Sequence, residues 1–286
     1  MRPNRFLNFD IDITFANEHD DRMTSTNEVG SALAPFILRQ EGFVATLTIT
    51  NPRRKNSVPQ AGWKVLTGAL KQVHAGDARV LVVTGEGTDF CAGADLSDES
   101  DQRHHLVRMH EVSEACLALH RVRIPVIARV DGYAVGAGMN LALAADFVVA
   151  STRARFSEIF VKRGLSVDFG GSWLLPRLVG LHRAKEMVLL GEMIDAADLH
   201  ELGIVREVVE PELLDAAVAA LVDKLSVAPP IAIAQSKRLL NDSFESSLDA
   251  ALEGEARAQV VNGAMEDAQE AGRAFFEKRA PVFRGR

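Results

Sequence analysis

Residues 124–150, IPVIARVDGYAVGAGMNLALAADFVVA, hold the stretch on which the fold is read. Ile124 to Val130 is a short apolar run of the buried-strand type, closed by Asp131-Gly132, and Phe147 to Ala150 is a second such run. Between them, Asp131 to Leu141 is rich in Gly and Ala and leads into helical spacing. Strands that are apolar on both faces need cover on both sides. Alternation of such strands with helices therefore predicts an α/β or mixed core.

The same texture continues upstream. Arg79 to Thr84 (RVLVVT) is another buried-strand run, ending at Gly85 and Gly87. Phe43 to Thr50 (FVATLTIT) alternates apolar and polar residues and is rich in β-branched side chains, so it reads as a strand. Asn51-Pro52 stops it, Arg53, Arg54, Lys55 and Asn56 follow in a loop, and a helix is predicted from Pro59 to His74. Downstream, Asp195 is expected to cap a helix that Gly203 closes. Pro211 to Leu225, Pro230 to Asn241, Ser246 to Val261 and Met265 to Arg279 carry helical spacing of apolar residues. No tandem repeat at solenoid periods interrupts this order.

With 286 residues, 47% of them hydrophobic and 25% charged, the chain can bury a large core as one large domain or two ordinary ones. Its net charge of −7 argues against a nucleic-acid backbone or an anionic membrane as the main partner, while leaving room for a small anionic ligand. Cys91 and Cys116 have neither metal-ligand nor disulfide-framework spacing, so no metal is expected and a reducing compartment is. Asp10 and Asp12 break any signal-peptide core, and Asn140 and Asp146 break the best candidate span, which predicts a soluble, cytoplasmic protein. Residues 1–35 hold six acidic and three basic residues and read as a flexible tail or a docked extra element.

Two strand-to-loop junctions are placed to do chemistry, Gly85 to Leu96 (GEGTDFCAGADL) and Asp131 to Leu141 (DGYAVGAGMNL). Each follows a buried strand and is expected to open a helix. Small residues let a ligand approach the backbone, and a helix start offers free N–H groups for phosphate, carboxylate or an oxyanion. The spacing of Gly132, Gly136 and Gly138 is G-x3-G-x-G, which is not the dinucleotide fingerprint. No P-loop, nucleophile-elbow or zincin motif occurs. Read by spacing alone, these loops are either ligand cradles or structural turns. Asp168 is a lone acid among apolar residues before Gly170-Gly171. It is either a desolvated general acid/base or a turn and capping aspartate.

Taken together, NPRRKNSV, FCAGADL, DGYAVGAGMNLALAADFVVA, GLSVDFGGSWLLPRLVG and the terminal AFFEKRAPVFRGR resemble the crotonase, or enoyl-CoA hydratase/isomerase, superfamily from about Phe36 to Arg286. The resemblance implies an α/β fold with a ββα spiral core over 36–210 and a helical C-terminal trimerisation region over 211–286, after the extension at 1–35. It also implies an acyl-CoA thioester as ligand with no separate cofactor, since coenzyme A is part of the substrate, and a homotrimer or dimer of trimers. The thioester oxyanion falls to the backbone N–H groups of Ala94 and Ala137. Lys55, Ala92, Asp95, Leu96, Gly136, Asn140 and Phe160 fall to substrate binding, and Phe275 and Lys278 to the nucleotide end of CoA. Cys91 falls to packing, and His104 and His105 to the surface.

The same resemblance locates the two glutamates of a typical hydratase at Asn140 and Phe160, neither of which can move a proton. Glu158 is a candidate displaced substitute. Asp168 matches the catalytic aspartate of isomerase-type members. Asn140, Asp168 and WLLPR together look most like the 1,2-epoxyphenylacetyl-CoA and Δ3,Δ2-enoyl-CoA isomerases, with Val167 standing where those usually have proline. One mobile carboxylate can take a proton at C2 and return it at C4, whereas water addition calls for a partner acid. The expectation is an isomerase, with a hydratase or a non-catalytic acyl-CoA-binding paralogue as alternatives.

Overall fold

The computed structural model describes residues 35–98 and 101–286, so nearly all of the extension expected over 1–35 lies outside the described residues. The strands are β1 (Phe36–Glu41), β2 (Val44–Ile49), β3 (Val80–Gly85), β4 (Val126–Val130), β5 (Tyr133–Val135), β6 (Phe147–Ser151), β7 (Arg155–Ser157), β8 (Ile194–Asp195) and β9 (Glu207–Val209). The main sheet has the order β1-β2-β3-β4-β6-β9, and β5-β7-β8 form a small second sheet. β1 and β2 pair as an antiparallel hairpin, and every later pair of the main sheet is parallel.

The helices are α1 (Gln60–Ala75), α2 (His105–His120), α3 (Ala137–Leu143), α4 (Gly171–Leu190), α5 (Ala196–Glu201), α6 (Leu214–Ser226), α7 (Pro230–Asp242), α8 (Leu248–Gly263) and α9 (Glu266–Glu277). Strand pleating divides the apolar runs between two cores. Leu81 and Val83 of β3 join Leu47, Ile49, Ala128 and Val130 beneath Trp63, Leu66 and Leu70 of α1 and Val112, Ala115 and Leu119 of α2. Val80 and Val82 point the other way, with Ile127 and Val149, into Leu214, Val218 and Leu221 of α6. Cover on both faces is what the uninterrupted Val and Leu of β3 required.

Two expectations are corrected here. The loop from Gly85 to Leu96 does not open a helix. Its residues form isolated bridges to Val58 and to Ala134 of β5 instead. Asp195 occupies the position before α5 but makes no capping bond, because its carboxylate pairs with Arg155 at 3.0 Å. α6 covers one face of the sheet through Leu214, Val218 and Leu221, and α7, α8 and α9 follow it. α7 is tied back by Lys237, whose ammonium lies 2.6 Å from Asp146 and 3.0 Å from the Ile124 carbonyl. Among the described residues no single helix is long and apolar enough to cross a membrane.

Candidate active site

Three loops are stitched together at the ends of the parallel strands. Cys91 donates its N–H to the Tyr133 carbonyl (2.8 Å) and accepts from Val135 N–H (2.9 Å), joining the first glycine loop to β5. On the other side Ala92 N–H reaches the Lys55 carbonyl at 2.9 Å. Val58 N–H donates to Gly93 O and Asp95 N–H to Val58 O, both at 2.8 Å. In such a parallel bridge the residues flanking Ala94 make the bonds, so the N–H of Ala94 itself turns away from Val58 toward the exposed side.

Ala137 is the first residue of α3, where the N–H has no carbonyl one turn earlier to pair with. The turn before it is made by Gly136 at φ 57°, whose own N–H is taken by Ser157 O at 2.8 Å. Gly93, at φ +89°, brings the loops into contact. A Cβ there would lie 2.8 Å from Val135 O and 3.4 Å from Ala137 N. Gly93, the residue before Ala94, is thereby packed against the main chain that opens α3 at Ala137.

Gly138 is the tightest point of this contact, since a Cβ on it would fall 2.1 Å from the Cys91 carbonyl oxygen. Gly138→Ala must push the two loops apart. It is expected to destabilise the fold by ~3 kcal/mol, read as a lower urea midpoint. A midpoint equal to that of the wild type would show that the loops are not locked together here.

The acids sit behind this backbone frame. Asp168 precedes Phe169, which is held at φ 44° with its ring buried 5.5 Å from Trp63, and Gly170 at φ 78°. The Asp168 carbonyl accepts from Gly171 N–H and from Asn140 Nδ2, each at 3.0 Å. These main-chain contacts anchor the residue and leave its carboxyl unengaged, with Oδ1 buried and unpartnered. Burial pushes that carboxyl up to about 6, within range of a general base at neutral pH.

Glu158 is fully buried at the end of β7. Its Oε2 accepts from Asn140 Nδ2 at 3.3 Å, and Oε1 has no partner. Burial and the nearby Asp168 charge push it up to about 8 against the opposing pull of the Asn140 amide. The sequence singled out Glu158 only as a displaced substitute. Its burial and its link to Asn140 are tertiary, and they make it a full member of the cluster.

The other candidates divide. Phe160 is buried, with its ring 3.6 Å from where a Cβ on Gly136 would be, and so walls the start of α3. Lys55 lies at the loop junction, its ammonium 4.0 Å above the Tyr133 ring and 3.7 Å from Asp89. Tyr133 was not anticipated, although an aromatic beside a glycine loop was a visible signal. Asp95 is paired to Arg54 at 3.1 Å, and Leu96 is exposed.

Phe275 and Lys278 are not gathered into the site within one chain. α9 packs on α8, the Phe275 ring is exposed and meets only Phe276 edge-on among the described ring contacts, and Lys278 closes the helix in a left-handed conformation. The physical reason is the path of the chain, which leaves the sheet after α6. Cys91 is fully buried with its thiol pushed up to about 12, which removes it as a nucleophile. His104 and His105 are exposed at the start of α2, where His104 Nδ1 accepts from Leu106 N–H at 3.2 Å.

Known proteins resemble this chain over most of its length. The family model described as "Enoyl-CoA hydratase/isomerase" matches residues 39–286. Among similar proteins, one from Rhodobacter capsulatus bearing the name "Probable enoyl-CoA hydratase" is 38% identical over 245 residues, covering 85% of this chain and 95% of its own. The 1,2-epoxyphenylacetyl-CoA isomerase of Escherichia coli is 37% identical over 261 residues, covering 88% and 99%. The crystal structure of an enoyl-CoA hydratase from Polaromonas sp. JS666 superimposes with a TM-score of 0.82 at 32% identity, covering 87% of this chain and 99% of that one. The chain belongs to the enoyl-CoA hydratase/isomerase family and has the crotonase fold. Proteins with hydratase and isomerase names both stand among its relatives.

Proposed function

We propose that this enzyme shifts a double bond, or isomerises a ring epoxide, in an enoyl-CoA thioester through an enolate, with Asp168 as its acid/base. The observation that carries the reading is an unpartnered, largely buried carboxyl at Asp168, raised to about 6, on a residue tied through Asn140 to the helix that Ala137 opens. The positions matched to hydratase glutamates, meanwhile, are Asn140 and Phe160.

For double-bond migration, the thioester oxygen accepts from the N–H groups of Ala94 and Ala137. The Asp168 carboxylate takes a proton from C2, and the C2–H electron pair moves into the enolate, which the two donors stabilise by ~3–4 kcal/mol each. As the enolate collapses, C4 takes the proton back from Asp168, so one carboxyl serves both ends. Lys55 lies toward the CoA end. Phe275 and Lys278 would reach a CoA only from a neighbouring copy, and the exposed Leu240, Phe244, Leu248 and Phe276 of the last helices support such an oligomer.

Water addition is the runner-up, favoured by the second buried carboxyl at Glu158. The deciding experiment is a panel of 2-enoyl-, 3-enoyl- and ring-epoxide CoA thioesters, with isomerisation and hydration followed separately. The isomerase reading expects turnover of 3-enoyl or ring-epoxide substrates well above hydration of 2-enoyl-CoA. Dominant hydration would give the hydratase, and binding without turnover of any member would give a non-catalytic paralogue.

A further inference from the structure

The reaction drawn above uses Asp168 and leaves a second, wholly buried carboxyl unexplained. Glu158 lies directly behind the oxyanion frame. The residue before it, Ser157, accepts the N–H of Gly136 at 2.8 Å, and Phe160, two residues on, packs against Gly136, the residue that opens α3. One amide ties Glu158 to Asp168. Asn140 Nδ2 donates both to Glu158 Oε2 and to the Asp168 carbonyl. Around that amide three oxygens are buried with no partner: Asn140 Oδ1, Glu158 Oε1 and Asp168 Oδ1.

A carboxyl with a proton is a donor as well as an acceptor, and a carboxylate is an acceptor only. Two carboxylates behind one amide would leave a surplus of buried acceptors and two unscreened negative charges, which costs more than retaining one proton. Glu158 is the more deeply buried of the two and is the one that keeps it.

We propose that Glu158 is a positioning residue holding the single proton of a buried two-carboxyl cluster, so that Asp168 alone carries negative charge when the acyl carbon is deprotonated. This rests on the reading of Asp168 as the acid/base. Its purpose follows from place. An anion at Glu158, hydrogen-bonded to Asn140 of the helix that Ala137 opens, would oppose the negative charge forming on the enolate oxygen. With Glu158 neutral, proton transfer to Asp168 moves one negative charge from the carboxylate to the thioester oxygen and adds none to the site.

The groups facing Glu158 are few. α3 contributes the Asn140 amide, the turn before α4 contributes Asp168, and Gly191 contributes main chain against the Glu158 carbonyl. Behind Asp168, the Cys116 thiol is pushed up to about 11 by burial and by the Asp168 charge, and so stays neutral. On its own segment, Lys162 and Arg163 are exposed. Asp168 is the one titratable group whose charge raises Glu158 among the described residues. The pair therefore titrates in two linked steps, with Asp168 losing its proton first.

Infrared difference spectroscopy of the full chain across a pH titration reads this without reference to turnover. The expected result is the C=O stretch of a protonated carboxyl at pH 7 in the wild type, lost in Glu158→Gln. In Asp168→Asn it should remain, but disappear at a lower pH than in the wild type because one neighbouring anion is gone. A wild type without the band at pH 7, or a Glu158→Gln variant that retains it, overturns the proposal. Should Glu158→Gln fail to fold, the direction of the shift between wild type and Asp168→Asn decides alone, and no shift overturns it.

Kinetics adds a second readout. The alkaline limb of kcat/KM, expected near pH 8 in the wild type, disappears in Glu158→Gln while the acid limb keeps its midpoint. An alkaline limb unmoved in Glu158→Gln counts against the proposal. The two readings fail separately: full turnover by Asp168→Asn would sink the proposed reaction, while the infrared band would still report the proton on Glu158.

Discussion

Asp168→Asn is expected to lower kcat for double-bond migration by ~10²–10⁴-fold while leaving the Kd for a saturated acyl-CoA nearly unchanged. The substitution keeps the shape of the side chain and removes only its ability to take a proton. The contacts that hold residue 168 in place are made by its carbonyl, to Gly171 and Asn140, and by the buried ring of Phe169. None depends on the carboxyl, so the variant should fold and bind. Exchange of deuterium from heavy water into C2 should cease with it. In the wild type, kcat/KM should fall as pH drops through about 6, where the buried carboxyl takes up its proton and ceases to be a base. Turnover by Asp168→Asn at the wild-type rate would remove Asp168 from the reaction.

The second large effect concerns stability. A glutamate in the unfolded chain releases its proton near 4.5, whereas buried Glu158 keeps it up to about 8. Between those values the folded state binds more protons than the unfolded state, so stability falls as pH rises. Stability present in full below the lower value is lost progressively up to the higher one, and the curve then levels. The fall attributable to Glu158 between pH 5 and 8 is ~3–5 kcal/mol. Asp168 adds a smaller fall in the same direction between 3.8 and about 6. Glu158→Gln, which is neutral at every pH, should abolish the larger part. Urea midpoints measured at pH 5 and pH 8 for both proteins test this. Parallel declines would show that Glu158 ionises in the folded chain as readily as in water.

The parts of the fold legible in the sequence are those whose burial is complete and local. β3, β4 and β6 are legible because cover on both faces leaves few polar positions to interrupt the run, Thr84, Arg129 and Ser151 among them. β1 was not read as a strand: it is an edge strand whose Arg39, Gln40 and Glu41 face solvent, and its pairing with β2 is what defines it. The free N–H of Ala94 depends on a bridge to Val58, a contact between distant loops that composition alone cannot reveal. Asp168 was visible as a lone acid beside two glycines. Glu158, in a segment that also holds Lys162 and Arg163, looked half-polar, and only the fold shows that it is sealed behind Asn140. Phe275 and Lys278 enter the expectation by likeness to other proteins, and within one chain they stand at the end of α9, which packs on α8.

The bridges that bind Cys91 to Ala134 and Val58 to Ala94 have a consequence for how such a protein can change. They fix the proposed oxyanion donors through peptide groups, which are the same whatever side chains the loops carry. Reaction type, on the proposed reading, is then set by a handful of interchangeable inserts at 140, 158, 160 and 168, mounted behind a chassis that need not be rebuilt. Substitutions among these inserts can redirect the fate of a common enolate without unmaking the device that stabilises it. A scaffold of this kind separates the power to form an intermediate from the choice of what becomes of it.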